Sequence, residues 1–203
     1  MNRKPLGDRH AGFAINAHDK IILIDPFQIK EVMPADIILI THSHYDHCSI
    51  EDIDKTIKPG TVIVTEAESA KKLSGDVRVV KPGDKINVSG IDIEAVEAYN
   101  TNKAFHPKTN GWLGFIITID GIRIYHAGDT DLIPEMDKFE ADIALLPVSG
   151  TYVMTAEEAV EAAKRLKPEI AIPMHFDSIV GSKEDAVKFK KDLEGICEVK
   201  LMS

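Results

Sequence analysis

Seven consecutive residues, Thr41-His42-Ser43-His44-Tyr45-Asp46-His47, constrain this chain more than any other stretch. They follow Asp36-Ile37-Ile38-Leu39-Ile40, a β-branched apolar run that is typical of a buried strand. Three imidazoles and one carboxylate within six residues suit a borderline-soft divalent metal such as zinc. Because the adjacent side chains of Asp46 and His47 diverge, one tetrahedral ion cannot use all of these groups. The stretch therefore predicts a loop at the end of a core strand that serves two neighbouring metal ions. A solvated, histidine-rich loop without metal is the alternative.

Apolar runs separated by turn residues continue along the chain and predict a mixed α/β (α+β) fold. Strand patterns occur at about residues 12–17, 20–24, 36–40, 61–65, 77–80, 85–88, 91–98, 112–119, 122–125, 143–148, 170–173 and 197–201. Helical patterns occur at about residues 50–57, 67–73, 155–167 and 182–193.

Short sequence signals predict two turns and the start of one helix. Ser89-Gly90 and Asp120-Gly121 predict hairpin turns, the second of type I′, and Thr155 with Glu158 has the capping-box spacing. A strand-rich half through residue 98 and a second half from residue 112, with no linker between them, predict two sheets packed face to face. We expect one domain over residues 1–203.

The charge balance limits the classes of partner. With 24 basic and 33 acidic residues the net charge is −9, which argues against a broad nucleic-acid footprint because such a footprint needs a basic face. Cys48 and Cys197 provide no disulfide framework. The basic stretch Met1–Asp8 is followed by no apolar segment, and no run approaches the length of a membrane span. We expect a soluble, cytoplasmic protein without a membrane partner.

The motif His42-x-His44-x-Asp46-His47 resembles the signature loop of the metallo-β-lactamase superfamily. Other matches to that family follow its order along the chain: Ile24-Asp25-Pro26, His106 before an apolar strand, His126-Ala127-Gly128-Asp129-Thr130, and Ile172-Pro173-Met174-His175-Phe176. The resemblance runs from about His10 to His175. It is greatest to a compact branch of metal-dependent hydrolases, to which ascorbate-6-phosphate lactonase-like and N-acyl phospholipid phosphodiesterase-like proteins are related. It implies a four-layer αββα sandwich.

The resemblance also implies two divalent metal ions, most simply zinc, with manganese, iron and nickel as alternatives. The implied ligands of the first ion are His42, His44 and His106, and those of the second are Asp46, His47 and His175. Asp129 would bridge the two ions. Asp25 would help to hold the histidine loop, and His10 and His126 either support the site through hydrogen bonds or have structural roles.

Two ions that share a bridging hydroxide would provide a nucleophile at neutral pH. Asp46 is the candidate to orient that nucleophile or move its proton, and Asp129 is the second candidate catalytic carboxylate. The predicted reaction is hydrolysis of an ester, lactone, amide or phosphodiester in a small molecule. Lys108, Asn110, Thr151 and Tyr152 flank the ligand loops and are candidate substrate contacts, with ordinary loop roles as the alternative.

Three other functions are alternatives to hydrolysis. Redox members of the family carry Glu where His44 stands and require a flavin domain, which disfavours them here. An RNA-processing nuclease would have extra arms or inserted domains, and the acidic balance ranks it lower. A non-catalytic metal-binding module would be expected to have lost at least one ligand. The sequence leaves association into a homo-oligomer open.

Overall fold

The computed structural model describes residues 3–5 and 10–202 and shows two β-sheets with helices on their outer faces. Outside the described residues lie Met1, Asn2, residues 6–9 and Ser203. The basic stretch Met1–Asp8 is therefore mostly outside them. Every helix within the described ranges is too short or too polar to cross a bilayer.

The first sheet uses the N-terminal part of the chain. Its six strands, in spatial order, are β1 (Arg3–Pro5), β2 (Phe13–Ala17), β3 (Lys20–Ile24), β4 (Ile37–Leu39), β5 (Val62–Thr65) and β6 (Asp76–Val79). The predicted hairpin between the strands at 12–17 and 20–24 is confirmed, because β2 pairs antiparallel with β3. From β3 to β6 the strands run parallel. Parallel pairing requires three crossovers, and the helices α1 (Ile50–Thr56) and α2 (Ala67–Ala70) lie in the second and third of them.

The second sheet contains all the remaining strands. In chain order they are β7 (Lys85–Val88), β8 (Ile91–Glu97), β9 (Leu113–Ile119), β10 (Ile122–His126), β11 (Ile143–Pro147), β12 (Ile170–Met174) and β13 (Glu198–Val199). The expectation that residues through 98 form one half was wrong, because β8 pairs with β9 from Asp92 to Glu97 and carries β7 into this sheet. The predicted type I′ turn agrees with the positive φ angles of Asp120 and Gly121, 53° and 78°.

The two sheets share one core. Alternate residues of the first sheet, including Ile22, Ile37 and Val62, pack in one cluster with Phe115 and Ile117 of the second sheet. The residues between them face the other way, where a smaller cluster contains Leu23, Ile38 and Ile63 together with Ile53 of α1. Burial on both faces explains why these parallel strands read as continuous apolar runs.

Two longer helices, α3 (Ala156–Leu166) and α4 (Lys183–Asp192), cover the outer face of the second sheet. The predicted capping box is confirmed, since Thr155 accepts from the backbone of Glu158 and the Glu158 carboxylate accepts from Thr155 N–H. Helix α3 ends at Lys167, which adopts a left-handed conformation before Pro168. The layers are therefore helix, sheet, sheet and helix, as the αββα prediction required.

Two predicted elements are longer by three residues than the structure has them. Helix α2 ends at Ala70 rather than at residue 73, because the backbone beyond it makes tighter bonds such as Lys72 N–H to Ser69 O. The last strand covers only Glu198–Val199 rather than residues 197–201, because β12 offers this edge strand partners only at Ile170 and Ala171.

Candidate metal centre

The predicted ligands converge at one edge of the two sheets. Strands β4, β10 and β12 deliver their ligands in the segments that follow their carboxyl ends. His10 reaches the same edge because it precedes β2, which runs antiparallel to β3. A hydrogen bond of 3.0 Å from Leu113 N–H to Thr41 O joins the loop after β4 to the first residue of β9. The histidine loop is thus tied to both sheets.

The first group of ligand atoms comes from His42, His44 and His106, and these atoms lie within 4.8 Å of one another. Nε2 of His42 is 3.0 Å from Nδ1 of His44, so these two nitrogens point to the same place. The indole of Trp112 packs against all three rings, with centroid distances of 4.8, 4.7 and 5.3 Å. The structure therefore brings together the three histidines expected to bind the first ion.

The second group contains Asp46, His47 and His175, and it also contains His10; these four offer ligand atoms within 4.8 Å of one another. Nε2 of His10 is 3.1 Å from Oδ2 of Asp46, and the His10 ring centroid is 4.5 Å from that of His175. The sequence prediction assigned His10 a supporting or structural role. In the structure, His10 lies within the group itself.

Asp129 contacts histidines of both groups. Its Oδ2 is 3.2 Å from Nε2 of His106 and 3.3 Å from Nε2 of His175, and its Oδ1 is 3.4 Å from Nε2 of His47. Gly128 permits this approach: its φ is +63°, and a Cβ there would lie 2.5 Å from the carbonyl oxygen of Leu113. The Asp129 carboxylate therefore lies between the two groups, where a bridging ligand would have to be.

Four of these polar atoms are buried and make no well-directed hydrogen bond among the described residues, although the three nitrogens lie 3.2–3.4 Å from the Asp129 carboxylate: Nε2 of His47, His106 and His175, and Oδ1 of Asp129. Leaving one such atom unpaired costs about 1–3 kcal/mol, so four on converging side chains are not expected of an ordinary core. Imidazole nitrogen and carboxylate oxygen are ligands for zinc, iron, manganese and nickel. The residues present fit divalent metal ions.

A buried carboxylate orients the loop from behind. Oδ2 of Asp25 accepts from Nδ1 of His47 at 2.8 Å and from the Thr41 hydroxyl at 2.6 Å, and Oδ1 accepts from Thr41 N–H at 2.8 Å. Since Nδ1 of His47 donates to Asp25, Nε2 is the nitrogen that faces the site and can bind a metal ion once its proton has left. The Thr41 hydroxyl, which donates to Asp25, remains free to accept from Nδ1 of His42 at 3.0 Å.

A second network holds His106. Its Nδ1 donates to Oδ1 of Asn100 and to the carbonyl oxygen of Tyr152, both at 3.1 Å. The same Asn100 oxygen accepts from His106 N–H at 3.0 Å, and Nδ2 of Asn100 donates to Asp131 at 3.1 Å. Asp131 is fully buried and pairs with Lys103 at 2.5 Å. The orientation of His106 therefore depends on a chain of polar groups in two loops.

Sequence reasoning missed these partners. Besides Asn100 and Thr41 they include Ser149, whose hydroxyl lies 3.2 Å from Nδ1 of His175. Asn100 and Ser149 are polar residues just beyond β8 and β11, and that strand-end position was the available signal. It did not specify which histidine each would contact, since each partner comes from a loop distant along the chain.

His126 is not available as a ligand. Its Nε2 donates to the carbonyl oxygen of Ala11 at 2.8 Å, and its Nδ1 accepts from Gly128 N–H at 3.2 Å. Burial lowers the pKa of His126, although Asp25 and the Ala11 carbonyl act in the opposite direction. A neutral His126 thus links the segment before β2 to the turn that presents Asp129.

Burial and neighbouring charges set the protonation of the metal-free site. Burial lowers the pKa of His42 well below its ordinary value. Burial opposes ionisation of Asp129, but His175 and His47 hold its pKa well below the usual range. Burial also opposes protonation of His47, yet Asp129 and Asp25 raise its pKa well above the usual value. A metal ion that binds through Nε2 of His47 must therefore displace a proton.

An open cavity of about 290 Å³ lies over the ligands. It is lined by His44, Tyr45, Asp46, Phe105, His106, Asp129, Tyr152, His175 and Ile179. Of the candidate substrate contacts, Tyr152 lines this cavity, and Lys108, Asn110 and Thr151 do not. Nζ of Lys108 instead pairs with Glu135 at 2.6 Å.

Cys48 lies outside the ligand groups. It packs in the smaller core cluster with Leu23, Ile38 and Ile53, and burial raises the pKa of its thiol. Its position agrees with a packing role rather than metal binding.

Comparison with known proteins places this site in a family. Residues 9–175 match the family described as the beta-lactamase superfamily domain. A UPF0173 metal-dependent hydrolase of Thermoplasma acidophilum is 36% identical, over 93% of this chain and 90% of the relative.

Solved structures agree with this match. A crystal structure from Parabacteroides distasonis has a TM-score of 0.87 at 35% identity, covering 97% of this chain and 90% of that one. Igni18, a metallo hydrolase from Ignicoccus hospitalis, has a TM-score of 0.81 at 27% identity, covering 99% and 94%. The chain belongs to the metallo-β-lactamase superfamily, in its branch of compact metal-dependent hydrolases.

Proposed function

We propose that this protein hydrolyses an ester, lactone, amide or phosphodiester in a small molecule, using a centre of two divalent metal ions. The observation that carries the proposal is the position of Asp129. Its carboxylate contacts His106 of one ligand group and His47 and His175 of the other, and four atoms of these side chains are buried without a well-directed hydrogen bond.

In this proposal the two groups divide the ions between them. His42, His44 and His106 hold one ion, Asp46, His47 and His175 hold the other, and Asp129 contributes to both. The abundance of imidazole favours zinc, although manganese, iron and nickel accept the same donors.

Two such ions supply a water of lowered pKa and polarise the scissile bond. Asp46 is the group placed to handle the proton, because its side chain retains 14% exposure and lines the cavity, whereas that of Asp129 retains 4%. His10 donates to Oδ2 of Asp46 and so fixes the direction of the carboxylate. Burial acts to raise the pKa of Asp46, but the hydrogen bond from His10 and the charge of His47 outweigh it, so the pKa is lowered and the carboxylate is ionised at neutral pH.

Other features support a small-molecule substrate and a reducing compartment. A cavity near the lower end of the range for small-molecule sites, about 300 Å³, and a net charge of −9 both disfavour nucleic acid. Cys48 and Cys197 are unpaired thiols, as is usual in the cytoplasm. The core shared by both sheets supports treating the chain as one domain.

The test is hydrolysis that depends on metal and on Asp129. Zinc-loaded protein should hydrolyse at least one member of a panel of lactones, esters and phosphodiesters, lose that activity with a chelator and regain it with zinc. Asp129→Ala should remove the activity, and Asp54→Ala, the same change at an exposed carboxylate of α1, should not. Chelator-insensitive activity, or full activity in Asp129→Ala, would contradict the proposal.

A further inference from the structure

We infer that the substrate carries an apolar, uncharged group that extends from the scissile bond across the cavity mouth, and that the mouth selects against substrates in which this group bears an anion. This inference rests on the proposed metal centre and names the chemistry of what it cleaves. It is carried by the residues around the cavity rather than by the ligands.

Three of the ligand loops place a large, mainly apolar side chain at the cavity. Tyr45 stands between His44 and Asp46, Phe105 precedes His106, and Ile179 follows His175 in the same loop. Tyr152, whose carbonyl oxygen holds His106, supplies a fourth. These four residues form the apolar rim of the site.

The apolar rim is exposed to solvent. Tyr45 is 68% exposed, Phe105 53% and Ile179 40%. Grouped exposure of large apolar side chains marks a binding surface more often than isolated exposure does. Because these side chains surround the candidate ligands, a substrate group that enters the cavity would cover them.

Ring contacts give the rim a defined shape. Phe105 and Tyr152 meet edge to face with centroids 4.6 Å apart, and Tyr45 packs against Phe27 at 5.8 Å. The rings on two sides of the opening are thus held by other rings. A flat or extended apolar group could lie between them.

Positive charge is directed away from this mouth. No lysine or arginine is among the described residues that line the cavity. Lys103 and Lys108, which flank Phe105 and His106, pair with Asp131 at 2.5 Å and Glu135 at 2.6 Å. A phosphate or carboxylate away from the scissile bond would therefore meet aromatic and aliphatic carbon instead of the cationic donors that such groups need.

The test uses hydroxamates, which chelate a metal through a common head and differ in the tail. Octanohydroxamate and the monohydroxamate of suberic acid have the same chain length, but the second ends in a carboxylate. Acetohydroxamate provides the head with almost no tail. Binding to zinc-loaded protein can be followed by the fluorescence of Trp112, the single tryptophan of the chain, whose ring lies 4.7–4.8 Å from those of His44 and His42.

We expect octanohydroxamate to bind about tenfold or more tightly than the suberic compound, because only its tail gains from burial of apolar surface. The double variant Phe105→Ala/Ile179→Ala should lose about tenfold in affinity for octanohydroxamate and less than about twofold for acetohydroxamate. Phe105→Lys should reduce or reverse the preference for octanohydroxamate over the suberic compound. Val187→Lys is the matched control, because Val187 is 56% exposed on α4 and does not line the cavity.

The outcomes separate the two proposals. Tighter binding of the neutral tail that depends on Phe105 and Ile179 supports the inference. Equal binding of the two tails, or tighter binding of the suberic compound, overturns it while acetohydroxamate binding still attests the metal centre. If the protein takes up no metal and acetohydroxamate does not bind, the proposed function fails and the inference falls with it.

Discussion

Asp25 and His47 form a fully buried pair, in which Oδ2 of the carboxylate accepts from Nδ1 of the imidazole at 2.8 Å. The two residues are 22 positions apart, and each follows a different strand of the first sheet. Their contact determines which nitrogen of His47 is directed at Asp129. The ligand loop is therefore oriented by the end of a neighbouring strand.

Replacing Asp25 by Asn should weaken both metal binding and the stability of the metal-free fold. An amide cannot accept from Thr41 N–H, the Thr41 hydroxyl and His47 together, so the His47 ring loses its orientation. We expect metal affinity to fall about 10–100-fold and the metal-free protein to lose about 1–3 kcal/mol in the free energy of unfolding. Competition with a chromogenic chelator measures the first quantity, and urea unfolding measures the second. Unchanged metal affinity would show that Asp25 only stabilises the loop.

Asn100→Ala should act on the other ion. It removes the acceptor for both N–H groups of His106 and the donor to Asp131. We expect about a 10–100-fold loss of affinity at one of the two sites. Two-step titration with zinc should therefore show one weakened step and one near-normal step. An equal loss in both steps would argue that Asn100 supports the fold of both loops and not His106 alone.

Gly128→Ala should lower the free energy of unfolding much more than Gly111→Ala does, although both glycines have φ of +63°. A left-handed conformation costs a residue with a Cβ about 1–2 kcal/mol, and this applies to both variants. At Gly111 no atom lies within 4 Å of the added Cβ, whereas at Gly128 that Cβ would lie 2.5 Å from Leu113 O. We expect a further loss of about 1–3 kcal/mol in Gly128→Ala, together with reduced metal content. Equal melting temperatures would refute the close approach at Gly128.

Stability of the metal-free protein should fall on acidification through His126. Burial lowers the pKa of this histidine, so below the ordinary value of 6.5 the unfolded chain binds a proton that the folded protein does not. The stabilisation is present above pH 6.5 and is lost as pH falls. His126→Gln keeps a donor toward Ala11 O and cannot titrate. Its free energy of unfolding should therefore change less with pH than that of the wild type, and the two slopes should differ by up to about 1.4 kcal/mol per pH unit. Urea titrations at pH 5–7.5 with chelator present measure both slopes, and equal slopes would show that His126 does not cause the acid sensitivity.

Local sequence patterns were sufficient to predict most helices and strands. Strands that are buried on both faces appear in the sequence as continuous apolar runs, which are easy to identify. The histidine loop, the I′ turn at Asp120-Gly121 and the capping box at Thr155 all depend on residues within a few positions of one another. The placement of β7 and β8 depends instead on pairing with β9, which lies beyond the intervening loop. No local signal in residues 85–98 specifies which sheet they join.

In the site, too, local sequence motifs predicted some features, and contacts between distant segments determine the others. The motif predicted the candidate ligands that the structure brings together, but the positions of His10 beside Asp46 and of Asn100 beside His106 arise from contacts between distant loops. Lys108 was a reasonable candidate from its position near a ligand, and its pairing with Glu135 could only be found in three dimensions. The apolar rim likewise could not be predicted from the sequence, because its four residues come from four different loops.

The most direct test of the dinuclear centre is the metal content of the protein, measured by elemental mass spectrometry after purification without metal-bearing resins or chelators. We expect about two transition-metal ions per chain, or two after equilibration with zinc and removal of the excess. Asp129→Ala should retain fewer ions, while Asp54→Ala should match the wild type. A protein that holds no metal after equilibration with zinc, manganese or iron would contradict the dinuclear centre and with it the proposed hydrolysis.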